Sequence, residues 1–120
     1  MISWFEIPVN KMERAIRFYE KVFDIKLSPQ DFGGLLMAWF PNKEDAPGAS
    51  GTLIQQDSYI PSKEGTLIYF HSEDVNNELN RVKKAGGEIY LKKTQISPEY
   101  GYMGVFIDSE GNRIALHSNK

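Results

Sequence analysis

Val9-Asn10-Lys11-Met12-Glu13-Arg14-Ala15-Ile16-Arg17-Phe18-Tyr19-Glu20-Lys21-Val22-Phe23-Asp24 is the stretch on which the reading of the whole chain turns. Its apolar residues Met12, Ala15, Ile16, Tyr19, Val22 and Phe23 recur at the spacing of one helix face. Asn10 and Glu13 suit an N-cap and an N3 carboxylate reaching back to it, which sets the helix start. Immediately upstream, Ile2 to Ile7 carries strand-forming residues and stops at Pro8, so a strand leads directly into the helix.

The same unit occurs again further along. Thr66 to His71 repeats the strand, and Val75, Leu79 and Val82 repeat the helix face at the offset that relates them to Met12, Ile16 and Tyr19. Gly86-Gly87 closes this second helix, where a left-handed residue costs glycine nothing sterically. A chance likeness between two α+β stretches would not share a helix register, so a duplication is the better reading. After each helix come short strand-like runs: Lys26 to Pro29, Leu35 to Phe40 and Thr52 to Gln56, then Glu88 to Thr94, Tyr102 to Ile107 and Arg113 to His117. Each half therefore reads β-α-β-β-β. Asp108-Ser109-Glu110-Gly111-Asn112 joins the last two strands as a turn, and its first-half counterpart, Pro41 to Ser50, is longer and expected to be mobile.

One domain over residues 1–120 is expected, with module one at about 1–60 and module two at about 61–120, because about sixty residues alone would bury too little surface. The formal charge is only −2, and Lys83, Lys84, Lys92 and Lys93 sit among acidic residues, so nucleic acid is not an expected partner. The absence of cysteine excludes disulfides, thiol nucleophiles and thiolate metal sites. The apolar runs fall far short of the ~20 residues of a membrane span. Met1 to Glu6 lacks a basic region followed by an apolar stretch, and a cytoplasmic protein is expected.

The helix run, together with Ala85-Gly86-Gly87 and Phe106-Ile107-Asp108-Ser109-Glu110-Gly111-Asn112-Arg113-Ile114, resembles the vicinal oxygen chelate superfamily, which includes glyoxalase I, bleomycin-resistance proteins and extradiol dioxygenases. The resemblance covers essentially the whole chain. It implies an α+β fold of two βαβββ modules, forming a cupped mixed sheet with helices on the convex side. It also implies, for the metal-using members, one His, Glu or Gln on the first and last strand of each module. Counted from the matching motifs, those positions fall here on Trp4, Leu67, Ala115 and, carried over by the repeat, Ile54. None offers a suitable donor atom, so no metal or other cofactor is expected, and the metal-dependent activities of the family are not expected of this chain.

Strand alternation then selects the candidate site. If Trp4 faces the cup, so does Glu6, while Phe5 and Ile7 face the helices. By the same alternation Leu67 brings Tyr69 and His71 to the cup, Ala115 brings Arg113 and His117, and Ile54 brings Thr52 and Gln56. Candidate catalytic residues are Glu6, His71 and His117; candidate ligand-binding residues are Trp4, Gln56, Leu67, Tyr69, Tyr102, Arg113 and Ala115. Glu6 on an inner strand either pairs with Arg113 or a histidine, stays protonated, or reaches solvent beside Pro8. The two histidines make either an incomplete metal site or a solvated rim. Trp39, Phe32 and Tyr100 lie near the proposed pocket or fill the core, and Tyr100-Gly101-Tyr102-Met103-Gly104 is a candidate lid.

Three functions fit. The first is binding of a small, flat or partly hydrophobic molecule, as the resemblance to antibiotic-binding members implies. The second is a metal-independent isomerase, epimerase or lyase using Glu6 with a histidine. The third is an interaction module. A homodimer is expected from the resemblance, and neither a membrane nor a nucleic acid is an expected partner.

Overall fold

The computed structural model describes residues 1–42 and 48–120, so the middle of the Pro41–Ser50 connection lies outside the described residues. The order is β1 (Phe5–Pro8), α1 (Met12–Phe23), β2 (Ser28–Phe32), β3 (Leu35–Trp39), β4 (Gly51–Gln55), β5 (Tyr69–His71), α2 (Val75–Ala85), β6 (Glu88–Ser97), β7 (Gly101–Ile107) and β8 (Arg113–Ser118). One four-stranded sheet runs β1-β4-β3-β2 and the other β5-β8-β7-β6. In each, the strand before the helix pairs parallel with the last strand, and the remaining pairs are antiparallel. Ile7 stands opposite Leu53 and Phe70 opposite Leu116, so the two halves share a register.

The helices cover one face of the sheets. From α1, Met12, Ala15, Phe18, Tyr19 and Val22 are buried, and from α2, Val75, Leu79 and Val82. They pack on Ala38 and Leu53 of the first sheet and on Phe106, Ile114 and Leu116 of the second. An aromatic cluster joins the halves: the Phe70 ring lies 4.8 Å from Phe23, 5.4 Å from Phe40 and 5.6 Å from Phe5, centroid to centroid. Rings at such separations add about 0.5–1.5 kcal/mol per pair beyond their buried area. Neither module could keep this core alone. Among the described residues, no helix is long and apolar enough to cross a membrane.

Several local expectations are corrected. The N-cap of α1 is Lys11, not Asn10, and no local side chain caps it. Glu110, far away in sequence, accepts the backbone N–H of both Asn10 and Lys11 at 2.9 Å, and Gln55 Oε1 accepts that of Met12 at 2.8 Å. Asn10 stands one residue too early, and the donors at the helix start are met by Gln55 of the same module and by Glu110 of the other. The strand expected at Lys26 to Pro29 is displaced to Ser28–Phe32, because Gly33 and Gly34, at φ 64° and 97°, make the tight hairpin that fixes its pairing with β3. The second parallel strand begins at Tyr69, not Thr66.

Tyr100 to Gly104 is no lid. Gly101 to Gly104 belong to β7, held between β6 and β8. Gly104 is small because a Cβ there would come within 2.7 Å of Leu79 Cδ1, so its glycine admits α2 onto the sheet.

Candidate ligand-binding cleft

The face away from the helices carries the candidate residues, and alternation explains why. Ile7, Leu53, Phe70, Ile114 and Leu116 belong to the helix-side core, which turns Glu6, Thr52, Ile54, Tyr69, His71, Arg113, Ala115 and His117 to the opposite side. Trp4 and Tyr69 are about half exposed there, at 40% and 49%. Trp39 joins them edge-on to Trp4, with centroids 6.1 Å apart, and stacks on Phe32 at 6.3 Å. Trp39 and Phe32 are thus surface aromatics of this face instead of core filler.

A cleft of about 840 Å³ opens between the β1 strand and the run from Thr66 to His71. Trp4, Glu6, Leu67, Tyr69 and His71 all line it, together with Ile2 and Thr66, and so do Phe5, Ile68 and Phe70 from the alternate positions of the same strands. A smaller cleft of about 140 Å³ shares Glu6, Thr66 and Ile68 with it and adds Ser62, Glu64 and Arg113. Ile2 follows from extending the alternation of Trp4 and Glu6 one step back. Nothing in the linker's residue types marks Ser62 or Glu64.

The other candidates are placed elsewhere. Ala115 is fully buried beside Tyr69 in the parallel register and lines neither cleft. His117 stands next to His71 on the neighbouring strand, and its Nε2 lies 2.7 Å from the carbonyl oxygen of Tyr100. Gln56 is exposed beyond the end of β4, in a turn where its carbonyl accepts the N–H of Tyr59. Tyr102 lies on the helix side, opposite buried Ser118, with Lys93 Nζ 4.7 Å from its ring centroid. Glu6 is exposed, and among the described residues it forms no ion pair with Arg113 or a histidine.

The register also corrects one of the four family metal positions. Tyr69 pairs with Ala115 in module two as Glu6 pairs with Thr52 in module one, so the counterpart of Ala115 is Thr52, while Ile54 corresponds to His117. Thr52 does carry an oxygen. It is fully buried, with the hydroxyl 3.0 Å from Ala38 O and 2.6 Å from Leu53 O, engaged by the sheet itself. Trp4, Leu67 and Ala115 offer no donor, and among the described residues no three His, Asp or Glu side chains converge. These residues do not fit the divalent ion of the family's metal-using members.

One displaced pKa is that of Asp74, lowered by the N–H of Asn76 and by Lys93 at the start of α2; the others belong to Asp108 and Glu110 of the Asp108–Asn112 turn and to Tyr19 and Arg14 of α1, none of which lines either cleft. Burial raises the Asp108 carboxyl, against hydrogen bonds from Tyr19 Oη at 2.6 Å, from the Asn112 side chain at 3.0 Å, and from the backbone N–H groups of Glu110 and Asn112 at 2.8 Å. Burial, then the adjacent Asp108, holds the Tyr19 phenol well above its ordinary value. Burial would raise Glu110 too, but donation from Arg14, Lys11, Ser109 and Asn10 outweighs it and brings the carboxyl down to about 2. Perturbed titration often marks a functional site. Here the shifted groups of the turn and of α1 are engaged by one another, which ties the turn to α1, and Asn112 Nδ2 also donates to Pro8 O at 2.7 Å. The cluster is a structural clasp between the modules.

Two βαβββ modules, each closing a four-stranded sheet under one helix and presenting the opposite face as a cleft, define a paired-module α+β class. The family model described as Glyoxalase/Bleomycin resistance protein/Dioxygenase superfamily matches residues 1–116, and the chain belongs to that superfamily. A "Glyoxylase-like domain-containing protein" of Didymella fabae is 29% identical over 118 residues, covering 96% of this chain and 91% of the relative. Among solved structures, a variant of glyoxalase I from Zea mays superposes with a TM-score of 0.74 at 20% identity, covering 98% of this chain and 46% of that one. The chain thus spans a little under half the length of the maize protein. A glyoxalase/bleomycin resistance protein from Albidiferax ferrireducens has a TM-score of 0.72 at 13% identity, covering 100% of this chain and 99% of that one. At such identities these neighbours speak to the fold.

Proposed function

We propose that this chain is a metal-independent member of the superfamily that binds a small, flat, partly hydrophobic molecule in the cleft between β1 and the Thr66–His71 run. The observation that carries the reading is the cleft wall: Trp4, Leu67 and Tyr69 stand where a ligand would touch them, backed by Trp39. Pockets of about 300–1,000 Å³ with aromatic walls and a few polar groups suit small ligands, and this one holds Glu6 and His71 as its polar groups. Both tryptophans of the chain stand on this face, so their emission reports on occupancy. Titration with the flat neutral probe 2-naphthamide is expected to change that emission saturably, and Trp4→Ala to weaken the effect. No saturable change in the wild-type chain would overturn the reading.

A second reading, metal-independent proton transfer by an isomerase, epimerase or lyase, is favoured by the presence of Glu6 and His71 in the same cleft. A carboxylate and an imidazole can exchange a proton with a bound substrate in a sheltered site. Glu6→Gln is then expected to abolish turnover while preserving affinity. A homodimer belongs to the same proposal, supported by Ile89, Tyr90, Leu91 and Ile96 exposed along the edge strand β6. Sedimentation of the purified chain checks it, and a monomer at tens of micromolar would count against it.

A further inference from the structure

Arg113 stands on the cleft side of β8, with Ile107 opposite in the ladder and core residue Ile114 following, so the sheet fixes where its side chain starts. Its guanidinium enters the small cleft beside Glu6, Ser62, Glu64 and Thr66. The Nε atom is buried and has no hydrogen-bond partner among the described residues, and Nη2 reaches only Gly65 O, at 3.4 Å. Glu6 and Glu64 share the cleft but neither is within ion-pair distance. With Nε enclosed, the side chain meets the cleft through its terminal Nη groups, and a guanidinium without an ion pair presents these as a planar fork that matches a carboxylate.

The small cleft is continuous with the aromatic one through Glu6, Thr66 and Ile68. We propose that the ligand carries a carboxylate on a flat apolar body, with the body against Trp4 and the carboxylate on the Nη groups of Arg113. This deepens the binding reading above and rests on it. Charge and size select a carboxylate over a phosphate. The small cleft holds only about 140 Å³, and Glu6 and Glu64 on its wall repel a dianion more than a monoanion. A neutral oxygen would also accept from the Nη groups, but a charge-assisted bond is roughly twice as strong.

The test is calorimetric titration of the full chain with two probes of one shape, 2-naphthoate and neutral 2-naphthamide. The wild-type chain is expected to prefer the carboxylate at least tenfold. Arg113→Met is expected to remove that preference by weakening 2-naphthoate alone, while Trp4→Ala weakens both probes. Equal affinity for the two probes in the wild-type chain, or an undiminished preference in Arg113→Met, overturns the carboxylate inference and leaves the cleft reading standing. Absence of binding by either probe overturns both. If Arg113→Met does not fold, Arg113→Lys decides. It keeps the charge but not the fork, so a reduced preference is the expected result and an unchanged one overturns the guanidinium anchor.

Discussion

Replacing Glu110 by alanine is expected to destabilise the chain by about 2–3 kcal/mol, although Glu110 lines neither cleft. Its side chain is fully enclosed, accepts the N–H groups of Asn10 and Lys11 at 2.9 Å, and meets Arg14 Nε at 2.7 Å and Nη2 at 2.9 Å. Losing an N-cap acceptor costs roughly 0.5–2 kcal/mol, and here one carboxylate serves two donors at the start of α1. The fall of its pKa from 4.5 to about 2 corresponds to about 3 kcal/mol in favour of the ionised form. Arg14 is 42% exposed, so solvent screens part of the ion pair and places the loss at about 2–3 kcal/mol. Glu110→Gln keeps an acceptor oxygen but not the charge and is expected to lose about half as much. Urea unfolding followed by tryptophan emission and by far-ultraviolet circular dichroism measures both variants. A loss under about 0.5 kcal/mol in Glu110→Ala would refute the inference that the second module caps the first helix.

Glu110 also sets a pH dependence. Its folded pKa is depressed, so its contribution is present above about 4.5 and is lost as pH falls toward 2, whereas Asp108, raised by burial, contributes with the opposite sign. The fall of wild-type stability across that window should flatten in Glu110→Ala, measured as urea midpoints at several pH values; an unchanged slope would count against the assignment. Tyr19→Phe removes a 2.6 Å donor from the buried Asp108 carboxylate and is expected to cost about 1–2 kcal/mol in the same unfolding assay. Gly87→Ala would put a Cβ within 2.4 Å of Ile107 O and 2.7 Å of Phe18 Cε1, so a loss of more than 1 kcal/mol is expected, read as a lowered melting temperature. Adding zinc, nickel or manganese at stoichiometric concentration should leave the melting temperature unchanged, and a saturable rise would sink the metal-independent reading.

The helices and the strand phases were legible because each depends on local periodicity. Met12, Tyr19 and Val22 sit on one face wherever the helix packs, and Ile7 and Leu53 point inward once alternation is set. By that alternation Trp4, Glu6, Leu67, Tyr69 and His71 belong to one cleft, which they do line, although Phe5, Ile68 and Phe70 of the other phase reach it too. It failed where the answer depended on pairing between distant segments. The displaced β2 depends on the Gly33-Gly34 hairpin, and the counterpart of Ala115 depends on which residue of β4 stands opposite Glu6. A count from motifs put that counterpart on Ile54, yet the parallel ladder fixes it at Thr52. Residues from the irregular linker, Ser62 and Glu64, enter the small cleft without any periodic signal to announce them.

The repeat is symmetric in topology but not in how its helices are capped, and this asymmetry has a consequence for stability. Helix α2 is capped within its own module: Asp74 accepts the N–H of Asn76 at 3.0 Å, Ser118 accepts that of Val75, and Gly86 at φ 109° closes the far end. Helix α1 has only Gln55 of its own module, which accepts the N–H of Met12, and takes Glu110 from the second for the N–H groups of Asn10 and Lys11, while the same turn reaches Tyr19 through Asp108 and Pro8 through Asn112. The second module can therefore form its helix start without the first, whereas the first keeps Gln55 but loses the acceptor of two N–H groups when the second is absent. Separately expressed halves should both be marginal, since each also loses the shared ring cluster around Phe70, but residues 61–120 should retain more helix by circular dichroism than residues 1–60. Equal or greater helicity in the first half would show that α1 holds its start without Glu110, and the clasp would then be a consequence of module packing and not a cause of it.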